Sequence, residues 1–215
     1  MAWWWRGTHA PVRLLVAPRA QQLITLGFDH RISKRSSATV EAALSNLDGN
    51  TFSSKDASDD VGLGLMTRLT HAIPISEKDS TMQLVIAGDA EVIGRDFHYV
   101  ERYRAVEFER NWNLLGTVLK ADQLLAGVHT GIEGKRIGKA SLGITTFQAR
   151  GQYQGWKPEL FSDLHMGRVD LTGTASLLQA NGTRNSDFIR HKGLTRYRLK
   201  PFSIGLRDEH ERNLF

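Results

Sequence analysis

Apolar and polar residues alternate with a period of two through most of this chain. A helix needs apolar positions every three or four residues, so the alternation predicts extended strands with unlike faces. The first clear run is Gln22 to Ile32, with Ile24, Leu26, Phe28 and Ile32 on one side and Thr25, Gly27, Asp29 and Arg31 on the other. After a polar turn, Ser33 to Ser36, the chain resumes with Ala38, Val40, Ala42 and Leu44 opposite Thr39, Glu41, Ala43 and Ser45. That spacing predicts a hairpin. Val40–Leu47 has some helical propensity, but its neighbours favour the hairpin.

A third run sets Val61, Leu63, Leu65 and Leu69 against Gly62, Gly64, Arg68 and Thr70. The fourth sets Leu84, Ile86, Gly88, Ala90 and Val92 against Gln83, Val85, Ala87, Asp89 and Glu91. Further strands are expected at Leu124–Glu133, Ala140–Gln152, Arg168–Leu178, Phe188–Leu199 and Phe202–Arg207. Such runs, about 9–11 residues long, match a tilted strand crossing a bilayer, whereas soluble strands average nearer 5–6. Tight connections are expected near Ser33–Ser36, Pro74–Ser80 and Gly134–Arg136. Long ones are expected at Asp48–Asp60, Phe97–Asn111 and Tyr153–His165. Short turns on one rim and long loops on the other are the pattern of membrane barrels.

Composition agrees with this reading without deciding it. Of the 215 residues, 40% are apolar and 24% charged, which excludes a helical membrane protein, since no stretch approaches the roughly 20 apolar residues of a spanning helix. The net charge of +5 is spread along the chain. Its nearest basic clusters, Lys34-Arg35 and Lys135-Arg136 with Lys139, fall in turns, and no nucleic-acid surface is expected. Cysteine is absent, which leaves no disulfide framework and no thiolate metal site. Residues 1–20 read as an irregular segment ahead of a single β domain over 21–215. Met1 to Arg6, with Trp3, Trp4 and Trp5, is not an export signal, and Leu14 to Ala17 is too short for a signal core. The chain is therefore read as a piece of a longer protein.

No catalytic constellation emerges. Asp29, Arg31, Glu41, Arg68, Asp89, Glu91, Glu133, Arg168 and Asp170 share the polar side of the strands. In a barrel they would line the lumen and pair across strands; in a soluble sheet they would be a solvated face. Eight histidines, among them His9, His30, His71, His98, His129, His165 and His191, fall about one per element without metal-ligand spacing, so neither metal nor cofactor is expected. Gly134 to Ala140 resembles a phosphate loop but has Glu133 and Ala140 where that loop needs Gly and Ser/Thr. Asn181-Gly182-Thr183 fits a sequon and, better, a turn.

The most individual stretch is Tyr99 to Leu114. Its Arg102, Arg104, Glu107, Arg110 and Trp112 can form ion pairs and interfacial anchors within a loop packed on a rim. Arg102-Tyr103-Arg104-Ala105-Val106-Glu107-Phe108-Glu109-Arg110-Asn111-Trp112 resembles a segment between barrel strands in the C-terminal regions of large, uncharacterised outer-membrane proteins of Bacteroidota. Asn50 to Ser53, Phe188 to Lys192 and Arg207 to Asn213 are similar too. The resemblance spans roughly Gln22 to Phe215 and implies an outer-membrane location and a barrel fold, with no catalytic residues to carry over. Phe215 resembles the aromatic ending of many barrels, but Asn213, Glu211 and Glu209 are polar where such an ending is apolar, so that likeness is read as coincidence. The expectation is an all-β antiparallel up-and-down meander of about eight to ten strands, forming a transmembrane β-barrel or part of one. It would be non-enzymatic, with the lipid bilayer and other envelope proteins as partners, and would serve solute passage, anchoring or export. The alternative is a soluble antiparallel barrel or sandwich that binds a ligand or protein partner.

Overall fold

The computed structural model describes residues 17–53, 55, 57–75, 82–182 and 185–214. The expectations for Trp3–Trp5, Leu14–Val16, His9, Ser76–Ser80, Thr183 and Phe215 lie outside the described residues. Ten antiparallel strands form one sheet in strict chain order. They are β1 (Ala20–Arg31), β2 (Ser36–Asp48), β3 (Val61–Pro74), β4 (Met82–Ile93), β5 (Gln123–Gly134), β6 (Gly138–Ala149), β7 (Tyr153–Met166), β8 (Val169–Asn181), β9 (Ser186–Leu199) and β10 (Phe202–Leu214). Among the described residues β1 pairs only with β2 and β10 only with β9, so the sheet is not closed. No helix in the described residues is long and apolar enough to cross a membrane, which says nothing of strands.

The registers keep the two faces apart across the whole sheet. Asp29 pairs with Thr39, Thr39 with Arg68, Arg68 with Asp89 and Asp89 with Gly127. Paired residues project to the same side, so the polar sides of successive strands merge into one polar face. Ile24, Leu44 and Leu63 are likewise successive partners on the other face. A slip of one residue anywhere would reverse a strand, and none occurs.

Several boundaries differ from expectation; the strand expected over Ala140–Gln152 ends at Ala149, and Arg150–Gln152 turn into the next strand. Tyr153–His165 is not a loop; it is strand β7. Its Pro158 and its Lys157/Glu159 pair obscure the alternation, because proline offers no N–H to a ladder. The β7–β8 pairing passes from Trp156↔Gln179 to Glu159↔Ser176 around Pro158. β10 runs past Arg207 to Leu214, through charged residues that apolarity would end. Arg168 falls in the tight turn between β7 and β8, where its carbonyl accepts from Arg198 N at 2.8 Å.

Candidate functional site

The polar face is covered at one end by the connection between β4 and β5, residues 94–122, here called the strap. It leaves β4 at Gly94, whose N–H donates to Leu63 O at 2.9 Å. It then lies directly on β3: a Cβ at Gly62 would stand 2.2 Å from Phe97 Cα, so only glycine admits the chain there. His98 N donates to Ser45 Oγ on β2 at 2.9 Å, and Gln21 Nε2 on β1 donates to Tyr99 O at 3.2 Å.

The strap then turns back across the sheet. Arg104 Nε donates to Glu91 Oε1 on β4 at 3.0 Å, its Nη2 reaches the same oxygen, and its Nη1 donates to Gln123 Oε1 on β5 at 2.7 Å. Tyr103 OH also donates to Glu91 Oε1, at 3.1 Å. Burial pushes the Tyr103 phenol well above the usual tyrosine range; Arg104 opposes that shift and Glu91 adds to it. The Arg104 guanidinium lies 4.4 Å from the Phe108 ring centroid.

One helical turn, α1 (Phe108–Asn111), follows and ends at Asn113 with φ 54°, a conformation asparagine tolerates. The turn brings Phe108 and Trp112 onto Phe147 of β6, with ring centroids 5.3 and 5.6 Å away. Tyr153 OH of β7 donates to Trp112 O at 2.6 Å. Lys157 Nζ lies 4.8 Å from the Trp112 ring and 3.1 Å from Glu159 Oε1. Arg190 Nη1 on β9 donates to Asn111 Oδ1 at 2.8 Å, and Arg110 Nη2 donates to Glu211 Oε2 on β10 at 2.6 Å. The bonds to Glu107 and the charge of Glu211 hold the Arg110 guanidinium above its ordinary range.

Residues 99 and 110 thus reach β1 and β10. The strap therefore runs from one edge of the sheet to the other. A twisted sheet of ten strands curls, and the polar face that carries the strap is here called concave. Under the strap, Trp112, Leu114 and Ala121 pack with Phe147, Ala149, Tyr153, Leu178, Ala180 and Phe188. Every strand residue in that cluster belongs to the concave face. The strap also borders two cavities, the second through Asn111 alone. One of about 440 Å³ lies against β1–β4, lined by Leu23, Glu41, Met66, Phe97 and Tyr103. The other, of about 330 Å³, lies against β5–β9, lined by His129, Lys157, Glu159, Ser176 and Arg190.

The convex face is the reverse. Its strand residues include Ile24, Leu26, Phe28, Leu63, Leu69, Val128, Leu142, Ile144, Phe202, Ile204 and Leu206, all exposed. Among the described residues, the only exposed large hydrophobic side chains that strands place on the concave face are Leu23 and Met66, and both line the larger cavity.

Of the residues singled out from sequence, Asp29, Arg31, Glu41, Arg68, Asp89, Glu91 and Asp170 all lie on the concave face. Arg102, Arg104, Glu107, Arg110 and Trp112 all belong to the strap. Glu91 and Arg104 meet; Asp89 lies 3.5 Å from His129, and Asp170 pairs with His165 and Arg198 at 2.9 and 3.0 Å. Asp29 accepts from Thr39 at 2.6 Å, apart from the strap. Sequence reasoning missed Phe147, Tyr153, Lys157, Leu178, Phe188 and Arg190. A signal was present: Phe147, Leu178 and Phe188 are apolar residues on strand sides that are otherwise mostly polar. Phe108 and Trp112 are also four residues apart, the spacing that sets two side chains on one side of a helical turn. Among the described residues no group of three or more His, Asp or Glu side chains is arranged to hold a metal ion. No protein-family model matches this chain, and no curated protein or solved structure matches it.

Proposed function

We propose that the chain is a non-enzymatic outer-membrane β-barrel region whose convex face meets hydrocarbon and whose polar interior is stoppered at one rim by the strap. One observation carries this reading: the apolar side chains of the convex face are exposed along the sheet, while the buried cluster lies wholly on the concave side. A protein in water seldom exposes a contiguous apolar patch beyond a few hundred Å², whereas a bilayer requires such a face. Strands of 12–14 residues suffice to cross at a tilt of about 40°. Lipid also forbids unpaired strand edges, so β1 and β10 must be paired in the membrane. The docked strap favours anchoring, or a regulated interior, over a permanently open channel.

Insertion into phosphatidylcholine vesicles tests this. Ile144→Arg, on the convex face, is expected to cost about 2–4 kcal/mol of folding stability in the bilayer. Thr172→Arg, on the concave face beside Asp163, is expected to leave insertion intact. Equal effects of the two substitutions, or a monodisperse chain in buffer without lipid or detergent, would overturn the reading and favour a soluble ligand- or partner-binding sheet.

A further inference from the structure

The three most exposed large apolar side chains on the strands, Leu26, Phe202 and Leu206, lie on the edges β1 and β10, where Ile24, Phe28 and Ile204 accompany them, all six between 61% and 76% exposed. Each edge strand thus has three apolar residues at alternate positions on the convex face and, among the described residues, no second neighbour to continue the belt. Beyond them, that face of β10 carries Asp208, His210 and Arg212 before the strand ends at Leu214. Three such residues facing hydrocarbon would be expensive. We propose that β10 pairs antiparallel with β1 of the same chain, with Leu206 opposite Ile24, Ile204 opposite Leu26 and Phe202 opposite Phe28. This rests on the barrel reading and specifies its seam.

Three independent features select that register. The first is apolar matching. A shift of two residues one way sets Asp208 against Ile24 and Phe202 against His30. A shift of two the other way leaves Phe28 and Leu206 without apolar partners. Odd shifts would turn one strand's polar face outward.

The second is charge. In the proposed register the concave face sets Glu211 opposite Arg19, Glu209 opposite Gln21 and Arg207 opposite Leu23, so no like charges face each other. On the convex face Asp208 falls opposite Gln22. Gln22 is already paired with Asn46, and Asp208 already accepts from His191 Nε2 at 2.6 Å. Asn46, Gln22, Asp208 and His191 then form one unbroken polar margin above the apolar belt, and the charges of β10 lie outside hydrocarbon.

The third is the geometry of closure. Register partners followed from Arg31 lead through Ser37, Thr70, Ala87, His129, Gly143, Glu159, Ser176 and Arg190 to Glu211. With Glu211 opposite Arg19, the circuit returns to β1 displaced by the 12 positions between Arg31 and Arg19. For ten strands such a stagger gives a tilt of about 40°, inside the range of about 35–45° that closed barrels adopt. Pairing the two strands without stagger, Asn213 opposite Gln21, would give about 29°.

The absence of cysteine allows a direct test by paired substitution in the full chain, folded both into phosphatidylcholine vesicles and in detergent-free buffer, then oxidised. Neighbouring antiparallel pairs alternate between wide and close separations, so two successive pairs are used: Leu26→Cys with Ile204→Cys, and Gly27→Cys with Ser203→Cys. An intrachain disulfide in at least one, several-fold faster than in the off-register pairs Leu26→Cys with Leu206→Cys and Leu26→Cys with Phe202→Cys, is the expected result. Faster bridging of an off-register pair overturns the seam, and so does an interchain dimer. Failure of every pair in a chain that circular dichroism shows to be folded also overturns it. Vesicle flotation of the same samples reports on the membrane reading separately, so either idea can fail alone.

Discussion

Strand β6 displays both surfaces of the molecule within six residues. Phe147, on its concave side, is fully buried against Phe108, Trp112 and Tyr153. Leu142, on its convex side, is 60% exposed. In a sandwich dissolved in water the two would exchange roles, with aliphatic faces stacked as the core and polar faces outward. Here the only described buried core is built where a loop crosses the polar side. Among the described residues, nothing packs across the apolar side as the strap packs across the polar one. The hydrophobic surface of this chain therefore divides into two kinds: a small part spent on holding the strap, and a large part left for whatever medium surrounds the sheet.

Truncating one residue on each side tests whether the two faces differ in kind. Phe147→Ala removes a ring from a packed cluster, so it loses transfer energy and leaves a cavity, at about 3–5 kcal/mol. Leu142→Ala opens no cavity, because solvent, detergent or lipid fills the space, and it should cost less by at least about 1.5 kcal/mol. Urea unfolding of the two variants in the same vesicles checks this. Equal losses would mean that Leu142 is packed against protein and that the two faces are not different in kind.

A smaller effect is expected from the polar fastening of the strap. Glu91 receives Arg104 and Tyr103 together, and the side chains of the Arg104–Glu91 pair are about 16% and 15% exposed. Glu91→Gln keeps the shape but removes the charge, and leaves a largely buried guanidinium without its counterion. A loss of about 1–3 kcal/mol in strap docking is expected. Faster proteolysis within 94–122, with strand content by circular dichroism unchanged, would show that the fastening acts on the strap and not on the sheet. A loss of strand content would show the two to be one cooperative unit.

Much of the fold was legible because period-two patterning is a local property: each strand states its own two faces, and hairpins fix who pairs with whom. What escaped was non-local. β7 hid because Lys157 is paid for by Glu159 and Trp112, and neither the strap's position nor the interrupted ladder at Pro158 is visible in the run itself. The charged half of β10 reads as a tail until β9 supplies Arg190, His191 and Lys192 as register partners for Glu211, His210 and Glu209. The strap was recognisable as unusual from its arginines, carboxylates and aromatics. That it crosses the whole concave face depends on Gly62 and Phe147, distant residues whose roles only the assembled sheet defines.

The weakest effect comes from titrating the same fastening. Burial holds the Tyr103 proton more tightly in the folded chain than in the unfolded one, where the ordinary value is 10.0. A proton bound more tightly in the folded state contributes fully below the unfolded value and is lost as pH rises through the folded one. Strap docking should therefore be insensitive to Tyr103 at neutral pH and weaken progressively above about pH 10. Phenolate absorbance followed against pH, beside proteolysis of 94–122, reads both events. Tyr103→Phe should remove the part of the alkaline release due to this phenol, at the cost of one hydrogen bond to Glu91. Leu142→Ala, which touches only the convex face, should leave the alkaline release unchanged. If it shifts that release as much as Tyr103→Phe does, the two sides of the sheet are coupled and the separation drawn between them does not hold.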